Sequence, residues 1–323
     1  MWHGLLRVEK ELTVIISASR RTDISAFYAE WMIHRLRAGF CTVPNPFSRS
    51  QVARISLLPS DVDAIVFWTR NPRPLMRYLS EIDGLGIPYY FQFTVLGLPR
   101  ELDPKVPPLE ITLRTFRELA QRLGPERVVW RYDPIVFSEK SPAEYHRERF
   151  TAIARKLAGF TNRVVVSIVD RYRKTERRMN ALRDCGAGLI DCAPEALAGL
   201  MRHLAATAAA NQMEIVSCAE EIDLTGHGIR PGRCIDHELI KQAFGKDVSA
   251  AKDPSQRPAC GCVLSRDIGM YDSCLFGCQY CYATGSFERA AENYRRHDPR
   301  SPSLIGWHDP AQDQTVHGQW KQM

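Results

Sequence analysis

The sequence predicts an α/β protein, a partial or closed (β/α) TIM-like barrel with a C-terminal cysteine-rich segment. Apolar, strand-like runs alternate with helix-compatible segments over residues 13–217, and five of the ten cysteines fall within residues 260–281. Strands that are apolar almost throughout are typical of a parallel sheet covered on both faces. A doubly wound sheet is the alternative, but no glycine fingerprint favours it.

Six strands and the helices between them follow from this pattern. The predicted strands are Thr13–Ser17, Ala64–Trp68, Tyr89–Thr94, Arg127–Trp130, Arg163–Ile168 and Glu214–Ser217. The predicted helices are Ala26–Ala38, Arg73–Asp83, Leu109–Leu123, Pro142–Ala158 and Pro194–Ala210. A hairpin is predicted through residues 52–57. We divide the chain into a barrel (1–250), a cysteine-rich cluster-binding segment packed on the barrel mouth (251–306) and a tail (307–323).

Composition and charge narrow the class of protein. The 323 residues are 45% hydrophobic and 25% charged, which is ordinary for an enzyme. A net charge of +6 without a dense basic tract favours an anionic partner over a nucleic-acid footprint. The charged N-terminus and the lack of a membrane-spanning run predict a cytoplasmic protein with no membrane association. In that compartment thiols stay reduced, so the cysteines favour metal binding over disulfides.

Polar residues follow most of the predicted strands. In a barrel the carboxyl ends of all strands face one side, where active sites are built. We therefore predict a set of strand-end residues with catalytic or binding roles: Arg20, Asp23, Arg70, Arg131, Asp133, Asp170 and Arg171. The arginines would grip carboxylate or phosphate groups, and the aspartates would orient the arginines or bind hydroxyl and amino groups. We expect the arginines to contribute little to folding. The alternative is that polar residues simply collect where strands meet solvent.

Cys274, Cys278 and Cys281 have the spacing C-x3-C-x2-C, and Tyr280 precedes the last of them. We name these three cysteines the cysteine triad. Thiolates at this spacing can converge on one metal centre and leave one coordination position open, whereas structural sites fill four. The spacing predicts an iron–sulfur site. Zinc and unconnected buried thiols are the alternatives.

Cys218, Cys234, Cys260 and Cys262 form a second set, which we name the cysteine tetrad. Four thiols are a full ligand set for a second metal centre, and a segment capping the barrel mouth would bring them together. In the alternative interpretation Cys218 and Cys234 are small buried apolar residues. Only Cys260 or Cys262 then lies near the first cluster.

The triad, with its aromatic residue, resembles the cluster loop of radical S-adenosylmethionine enzymes. Most of those enzymes carry the loop early in the chain, although a C-terminal position is known from the phosphomethylpyrimidine synthases. The resemblance implies a 4Fe–4S cluster on the triad, with S-adenosylmethionine at the fourth iron and Tyr280 as a cofactor-binding residue. We also predict Glu220, which follows the sixth strand, as a cofactor-binding residue. It also implies a small-molecule substrate and an electron donor as partners. The chain lacks the Gly-Gly-Glu segment and the glycine-rich adenine strand of that superfamily.

Several longer stretches resemble the uncharacterised bacterial proteins catalogued as domain of unknown function 1848. They are ISASRRTDI, IVFWTRNP, WRYDPI, YRKTERR, GRCIDHELI, ACGCVLSRDIG and CLFGCQYCYA. This resemblance implies a shared fold and shared cysteines, but no substrate. Three hypotheses remain: a radical enzyme acting on an anionic or nucleotide-like small molecule, an iron–sulfur electron-transfer or sensing protein, and a zinc-stabilised nucleic-acid-binding protein.

Overall fold

The computed structural model describes residues 13–46, 48–170 and 172–308. The ten strands in chain order are β1 (Val14–Ala18), β2 (Phe40–Asn45), β3 (Ser48–Ser56), β4 (Val62–Thr69), β5 (Tyr89–Thr94), β6 (Val128–Ile135), β7 (Arg163–Ile168), β8 (Glu214–Ser217), β9 (Arg230–Pro231) and β10 (Arg266–Asp267). Eight of them form one parallel sheet in the order β10-β1-β4-β5-β6-β7-β8-β9. β2 and β3 form a separate antiparallel hairpin.

Helices connect these strands. They are α1 (Ile24–Phe27), α2 (Ala29–Ala38), α3 (Arg73–Met76), α4 (Leu79–Gly84), α5 (Leu109–Leu123), α6 (Ala143–Leu157), α7 (Arg173–Ala181), α8 (Pro194–Ala210), α9 (His237–Phe244) and α10 (Phe287–Arg295). Short 3-10 turns occur at Pro125–Arg127, Leu182–Cys185 and Thr225–His227. Among the described residues, no helix combines the length and apolar character needed to cross a bilayer.

The α/β class is confirmed, and β5, β7, β8, α5 and α8 have the predicted bounds. The two predicted helices Ala26–Ala38 and Arg73–Asp83 are each broken in two, at Tyr28 and near Tyr78. The hairpin is longer than expected, because β2 and β3 pair from residue 40 to residue 56. The predicted tail beyond residue 308 lies outside the described residues.

Strand β6 is longer than predicted. It continues through Asp133 and Pro134, and its pairing with β7 shifts register between Tyr132 and Ile135. Proline cannot donate a ladder hydrogen bond, so it is tolerated in a strand at such an irregularity. Arg131 and Asp133 therefore lie within the strand and not in a loop after it.

Alternate side chains of each strand pack into two separate cores, one on each face of the sheet. Phe67, Phe91 and Trp130 belong to the core beneath the large helices. Their neighbours Val66 and Tyr90 belong to a core on the other face. That second core is completed by α9 and the chain around it through Ile235, Leu239, Ile240 and Val263. Because both faces are covered, apolar residues occupy consecutive strand positions.

A closed barrel is not observed. No pairing joins the edge strands β9 and β10 within the described parts of the chain. What is present is an eight-stranded parallel sheet flanked by helices. Strand β10 comes from the predicted cysteine-rich segment and belongs to this same sheet. The division of the chain into domains stays a prediction.

Candidate functional site

The loop that carries the cysteine triad is anchored to the end of β1 and to the chain beyond β5. The Tyr28 hydroxyl donates to the Ser273 carbonyl at 2.6 Å, and the Gln279 amide donates to the Leu102 carbonyl at 3.0 Å. The Tyr282 hydroxyl donates to the backbone carbonyl of Arg20 at 2.8 Å. These contacts place the triad at the carboxyl edge of the sheet, where the strand-end residues were predicted.

The three triad thiols lie near one another and near charged residues. Cys278 is influenced electrostatically by the other two thiols and by Arg70, and Cys274 is influenced by Cys281 and Asp23. Burial raises the pKa of Cys274 to about 12. Burial also raises the pKa of Cys278 well above its usual value, with Arg70 opposing the change. Without a metal these two thiols are therefore protonated, and metal binding would release their protons.

Tyr280 belongs to a buried network beside Cys278. Its hydroxyl donates to Asp103 at 2.8 Å, and the Arg70 guanidinium pairs with the same carboxylate at 2.7 Å. Arg70 also contacts the Tyr280 hydroxyl directly. Asp103 thus holds Arg70 and Tyr280, the two predicted site residues, in place. Asp103 was not predicted from the sequence, because it lies in a loop with no recognisable motif.

Arg178 of α7 holds the other end of the triad loop. Its guanidinium donates to the carbonyls of Cys281 and Thr284 at 2.6 and 2.8 Å. The basic run YRKTERR therefore contributes a loop anchor, which its composition alone did not reveal. The Arg178 Nε is buried and has no hydrogen-bond partner within the described residues.

The cysteine tetrad is assembled from three separate segments. Cys218 follows β8, Cys234 precedes α9, and Cys260 and Cys262 lie just before β10. The Cys218 and Cys234 sulfurs are 3.1 Å apart, and the Ile235 amide donates to the Cys262 sulfur at 3.4 Å. The tetrad lies on the second face of the sheet, within the core that α9 completes.

The tetrad thiols have divergent acidities. Hydrogen bonding from Cys234 lowers the pKa of Cys218 to about 7, with the Arg131 charge adding to the effect against burial. Hydrogen bonding from Cys234 and Cys260 lowers the pKa of Cys262 well below its usual value. The pKa values of Cys234 and Cys260 are raised, first through hydrogen bonding to neighbouring thiols. Thiolate character is therefore concentrated on Cys218 and Cys262.

Two arginines flank Trp68 beside the tetrad. The guanidinium of Arg131 lies 4.8 Å from the Trp68 ring and that of Arg20 lies 5.4 Å from it. Arg131 donates to the Cys234 sulfur at 2.7 Å and forms an ion pair with Asp133. Only 6% of Arg131 is exposed. The expectation that it contributes little to folding rested on solvent exposure, and that premise is wrong because β6 extends through this residue.

The other strand-end residues have separate surroundings. Asp23 is buried, caps α1 through the Ala26 amide, and accepts hydrogen bonds from Thr69 and the Arg70 amide. Burial raises its pKa to about 7. Glu220 accepts a hydrogen bond from the Ile168 amide at 2.7 Å.

Asp170 is far more exposed than Asp23 and pairs with Arg257 at 2.5 Å. Arg171, which was predicted as its neighbour in the site, lies outside the described residues. The structure therefore joins Asp170 to the segment just before Cys260. The predicted roles of the strand-end residues in binding or catalysis stay predictions.

Asp267 is a further residue that the sequence analysis missed. Its buried carboxylate accepts hydrogen bonds from Ser17, Ser19 and the Arg20 amide at 2.7 to 2.8 Å, and it pairs with Arg21 at 3.0 Å. Burial alone would raise the pKa of Asp267, but Arg21 and Arg20 hold it below its usual value. The one sequence signal for Asp267 was its position in ACGCVLSRDIG, one of the stretches that resemble the family.

Within the described residues, no group of three or more Cys, His, Asp and Glu side chains has the arrangement needed to hold a metal ion. Zinc binds thiolates at about 2.3 Å, so its ligands crowd around one point. A four-iron cluster is wider, and its thiolates stand farther apart. Thiols are donors that hold both zinc and iron–sulfur clusters, and in the tetrad the Arg131 guanidinium and the Ile235 amide donate to sulfur.

Two cavities open beside the triad loop. One, of about 90 Å³, lies past the end of β5 and is lined by Arg70, Arg100 and Asp103 among others. The other is an open apolar groove of about 470 Å³ formed around Leu275 and Phe276 of the triad loop. Lys105 and Arg295 line the groove as well.

The family model described as Domain of unknown function (DUF1848) matches residues 15–283. The chain belongs to this family. No curated protein matches this DUF1848 chain. Among solved structures, it is similar to a candidate alpha-L-fucosidase from Bacteroides thetaiotaomicron, with 10% identity, 91% of this chain and 98% of that chain covered, and a TM-score of 0.30.

A second similar structure is a short-chain type dehydrogenase/reductase from Mycobacterium marinum. The identity is 11%, the coverage is 80% of this chain and 94% of that chain, and the TM-score is 0.23. At such low TM-scores neither structural likeness carries an argument about this DUF1848 protein.

Proposed function

We propose that this protein is an iron–sulfur enzyme of the radical S-adenosylmethionine type. The cysteine triad would hold a 4Fe–4S cluster, and the iron without a protein thiolate would bind S-adenosylmethionine. The observation that carries the proposal is the gathering of the three C-x3-C-x2-C thiols beside Asp23 and Arg70, at the carboxyl edge of a parallel sheet. Ligand sites of α/β folds are built at this edge.

The surroundings of the triad support a charged, redox-active group. The Arg70 charge acts on the Cys278 thiol, and Arg70 is itself held by Asp103 and Tyr280 beside the triad. Hydrogen bonds to thiolate sulfurs and nearby charges are the features with which proteins set a cluster's reduction potential. When bound and reduced on the triad, such a group would supply the electron for reductive cleavage of S-adenosylmethionine.

An anionic small-molecule substrate agrees with the charges around the triad. The apolar groove formed around Phe276 is lined by Lys105 and Arg295, both of which are exposed. Its volume of about 470 Å³ is in the range of small-ligand sites. The groove offers an apolar body with cations for a carboxylate or a phosphate.

We also propose that the sheet is a partial (β/α) barrel. Apart from the hairpin strands β2 and β3, the strands from β1 to β9 stand side by side in chain order, and β10 is added on the other side of β1. This order is typical of barrels. A doubly wound sheet instead reverses its strand order near the middle.

The test is anaerobic purification followed by iron and sulfide analysis and by reduction in the presence of S-adenosylmethionine. We expect brown protein, a changed electron paramagnetic resonance spectrum on adding the cofactor, and 5′-deoxyadenosine after strong reduction. The variant with Cys274, Cys278 and Cys281 changed to Ala should lose the cofactor-dependent signals. The variant Cys41→Ala, which removes a buried cysteine outside both sets, is the matched control.

The second candidate function is electron transfer without S-adenosylmethionine, which the missing Gly-Gly-Glu segment favours. This candidate is established over the first if protein with fully loaded clusters shows no change in its electron paramagnetic resonance spectrum on adding S-adenosylmethionine and yields no cleavage product. Stoichiometric zinc without sulfide would exclude both.

A further inference from the structure

We propose that the cysteine tetrad is a second iron–sulfur site, closed by its four thiolates. We further assign Arg20 and Trp68 as hydrogen-bond donors to the group that the tetrad holds. This inference goes beyond the proposed function and does not depend on it, because it concerns other thiols on the second face of the sheet.

The first support is convergence. Three segments separated by up to 44 residues, from Cys218 to Cys262, deliver four thiols to one place in the second core. The Cys218 and Cys234 sulfurs are 3.1 Å apart, the amide of Ile235, next to Cys234, donates to the Cys262 sulfur at 3.4 Å, and Cys260 packs in the same core. Isolated cysteines that merely fill a core have no reason to meet in this way.

The second support is a pair of unsatisfied donors. Arg20 Nη2 and Trp68 Nε1 are buried and have no hydrogen-bond partner among the described residues. A buried donor without an acceptor costs about 1–3 kcal/mol, so such atoms call for an explanation. Both residues lie at the tetrad, with Arg20 electrostatically coupled to Cys262 and stacked beside Trp68.

These donors favour a cluster over zinc. A zinc ion adds no acceptor beyond its four thiolate sulfurs, which can themselves accept N–H donors. An iron–sulfur cluster adds inorganic sulfides that also accept hydrogen bonds from nearby N–H groups. A cluster therefore offers Arg20 and Trp68 more acceptors than zinc does, and sulfide analysis decides between the two.

The sulfur spacing is that of free thiols. The Cys218 and Cys234 sulfurs lie in direct contact, 3.1 Å apart. Thiolates on a single zinc ion stand ~3.8 Å apart, as follows from a bond length of about 2.3 Å and tetrahedral geometry. Binding a metal group of either kind requires these two sulfurs to separate, and a cluster requires the larger movement.

Positive charges around the tetrad offset the charge of four thiolates. The guanidinium of Arg131 contacts Cys234, that of Arg20 is coupled to Cys262 and Cys260, and that of Arg257 influences Cys218. Buried anions without such compensation are strongly disfavoured. The arginines therefore favour a site that carries net negative charge.

A closed site leaves no iron for substrate, so its role is electron transfer. Arg20 connects the two thiol sets, because its guanidinium lies by Cys262 and its carbonyl accepts from Tyr282, the residue after Cys281. One residue thus links the tetrad to the triad loop.

The experiment starts with the triple triad variant Cys274→Ala, Cys278→Ala, Cys281→Ala, reconstituted anaerobically with iron and sulfide. We expect about four irons and four sulfides per chain to remain, as for one closed cluster. Zinc without sulfide, or no bound metal, would overturn the inference while leaving the triad proposal untouched. If that variant does not fold, the tetrad variant Cys260→Ala, Cys262→Ala replaces it: it should hold about four irons fewer than the intact protein, and an unchanged iron content would overturn the inference.

The donor assignment is tested by Trp68→Phe in the protein that retains the tetrad. Removing an N–H donor to a cluster should make its reduction potential more negative without lowering iron content. The matched control is Trp130→Phe, a buried tryptophan whose Nε1 donates to the Val95 carbonyl at 2.9 Å on the other face. A potential unchanged in Trp68→Phe, or shifted equally in both variants, would contradict the assignment.

Discussion

Arg131→Met tests whether the Arg131–Asp133 pair stabilises the fold. The substitution preserves much of the side-chain length but removes a cation that is 6% exposed, leaving the partner carboxylate uncompensated. Breaking a buried pair on one side costs about 3–5 kcal/mol. Asp133 keeps its hydrogen bond from Ser167 at 2.5 Å, and its side chain is 14% exposed. We therefore expect a loss near the lower limit, ~3 kcal/mol.

The assay is thermal unfolding of the metal-free protein, because bound metal would add its own stabilisation. A loss of this size lowers the melting temperature by roughly 4 °C in a chain of this length. The double variant Arg131→Met, Asp133→Asn should recover part of the loss, since it also removes the unpaired carboxylate charge of Asp133. Arg37→Met is the control, because its pair with Glu81 is exposed and such pairs contribute about 0–1 kcal/mol. Equal melting temperatures for Arg131→Met and the wild type would refute the structural role of the pair.

Three further predictions concern other parts of the chain. Burial lowers the pKa of His146 to about 4. The neutral ring therefore contributes to stability above its ordinary pKa of about 6.5, and denaturant titrations should show a loss of about 3 kcal/mol as pH falls towards 4. His146→Gln should flatten this dependence of stability on pH. Gly269→Ala would place a Cβ 2.0 Å from the Ser19 Oγ and should lower the melting temperature, whereas Gly84→Ala meets nothing within 4 Å and should not. Arg178→Met removes two hydrogen bonds to triad-loop carbonyls and should speed amide hydrogen exchange across residues 278–285 without changing exchange in α5.

The regular elements were predictable where local pattern and burial agree. β5, β7 and β8 are apolar on both faces, and α5 has an amphipathic pattern closed by Gly124, so their bounds follow from sequence. The helix before β2 was not correctly predicted, because its break at Tyr28 depends on a buried tertiary contact to the Ser273 carbonyl. β9 and β10 contain two residues each, which is too short for any periodic signal.

The candidate site was likewise predictable only in part. The triad is local in sequence, so its spacing alone indicates a common centre. The tetrad depends on contacts across the second face of the sheet, and no spacing between Cys218, Cys234 and Cys260 could establish them. The burial of Arg131 was also not predictable, because it depends on the Trp68 ring and the Cys234 sulfur, which distant segments of the chain bring to β6.

The two thiol sets are linked through the shortest strands of the sheet. β10 lies between Cys262, the last tetrad residue, and Cys274, the first triad residue. Its two residues pair in parallel with β1, so that Asp267 lies opposite Ser17 and holds the turn that carries Arg20. This single pairing brings the chain before it to the second face of the sheet and the chain after it to the carboxyl edge. Strand β10 therefore sets the positions of both thiol sets relative to Arg20, although nothing in its sequence marks it as a strand.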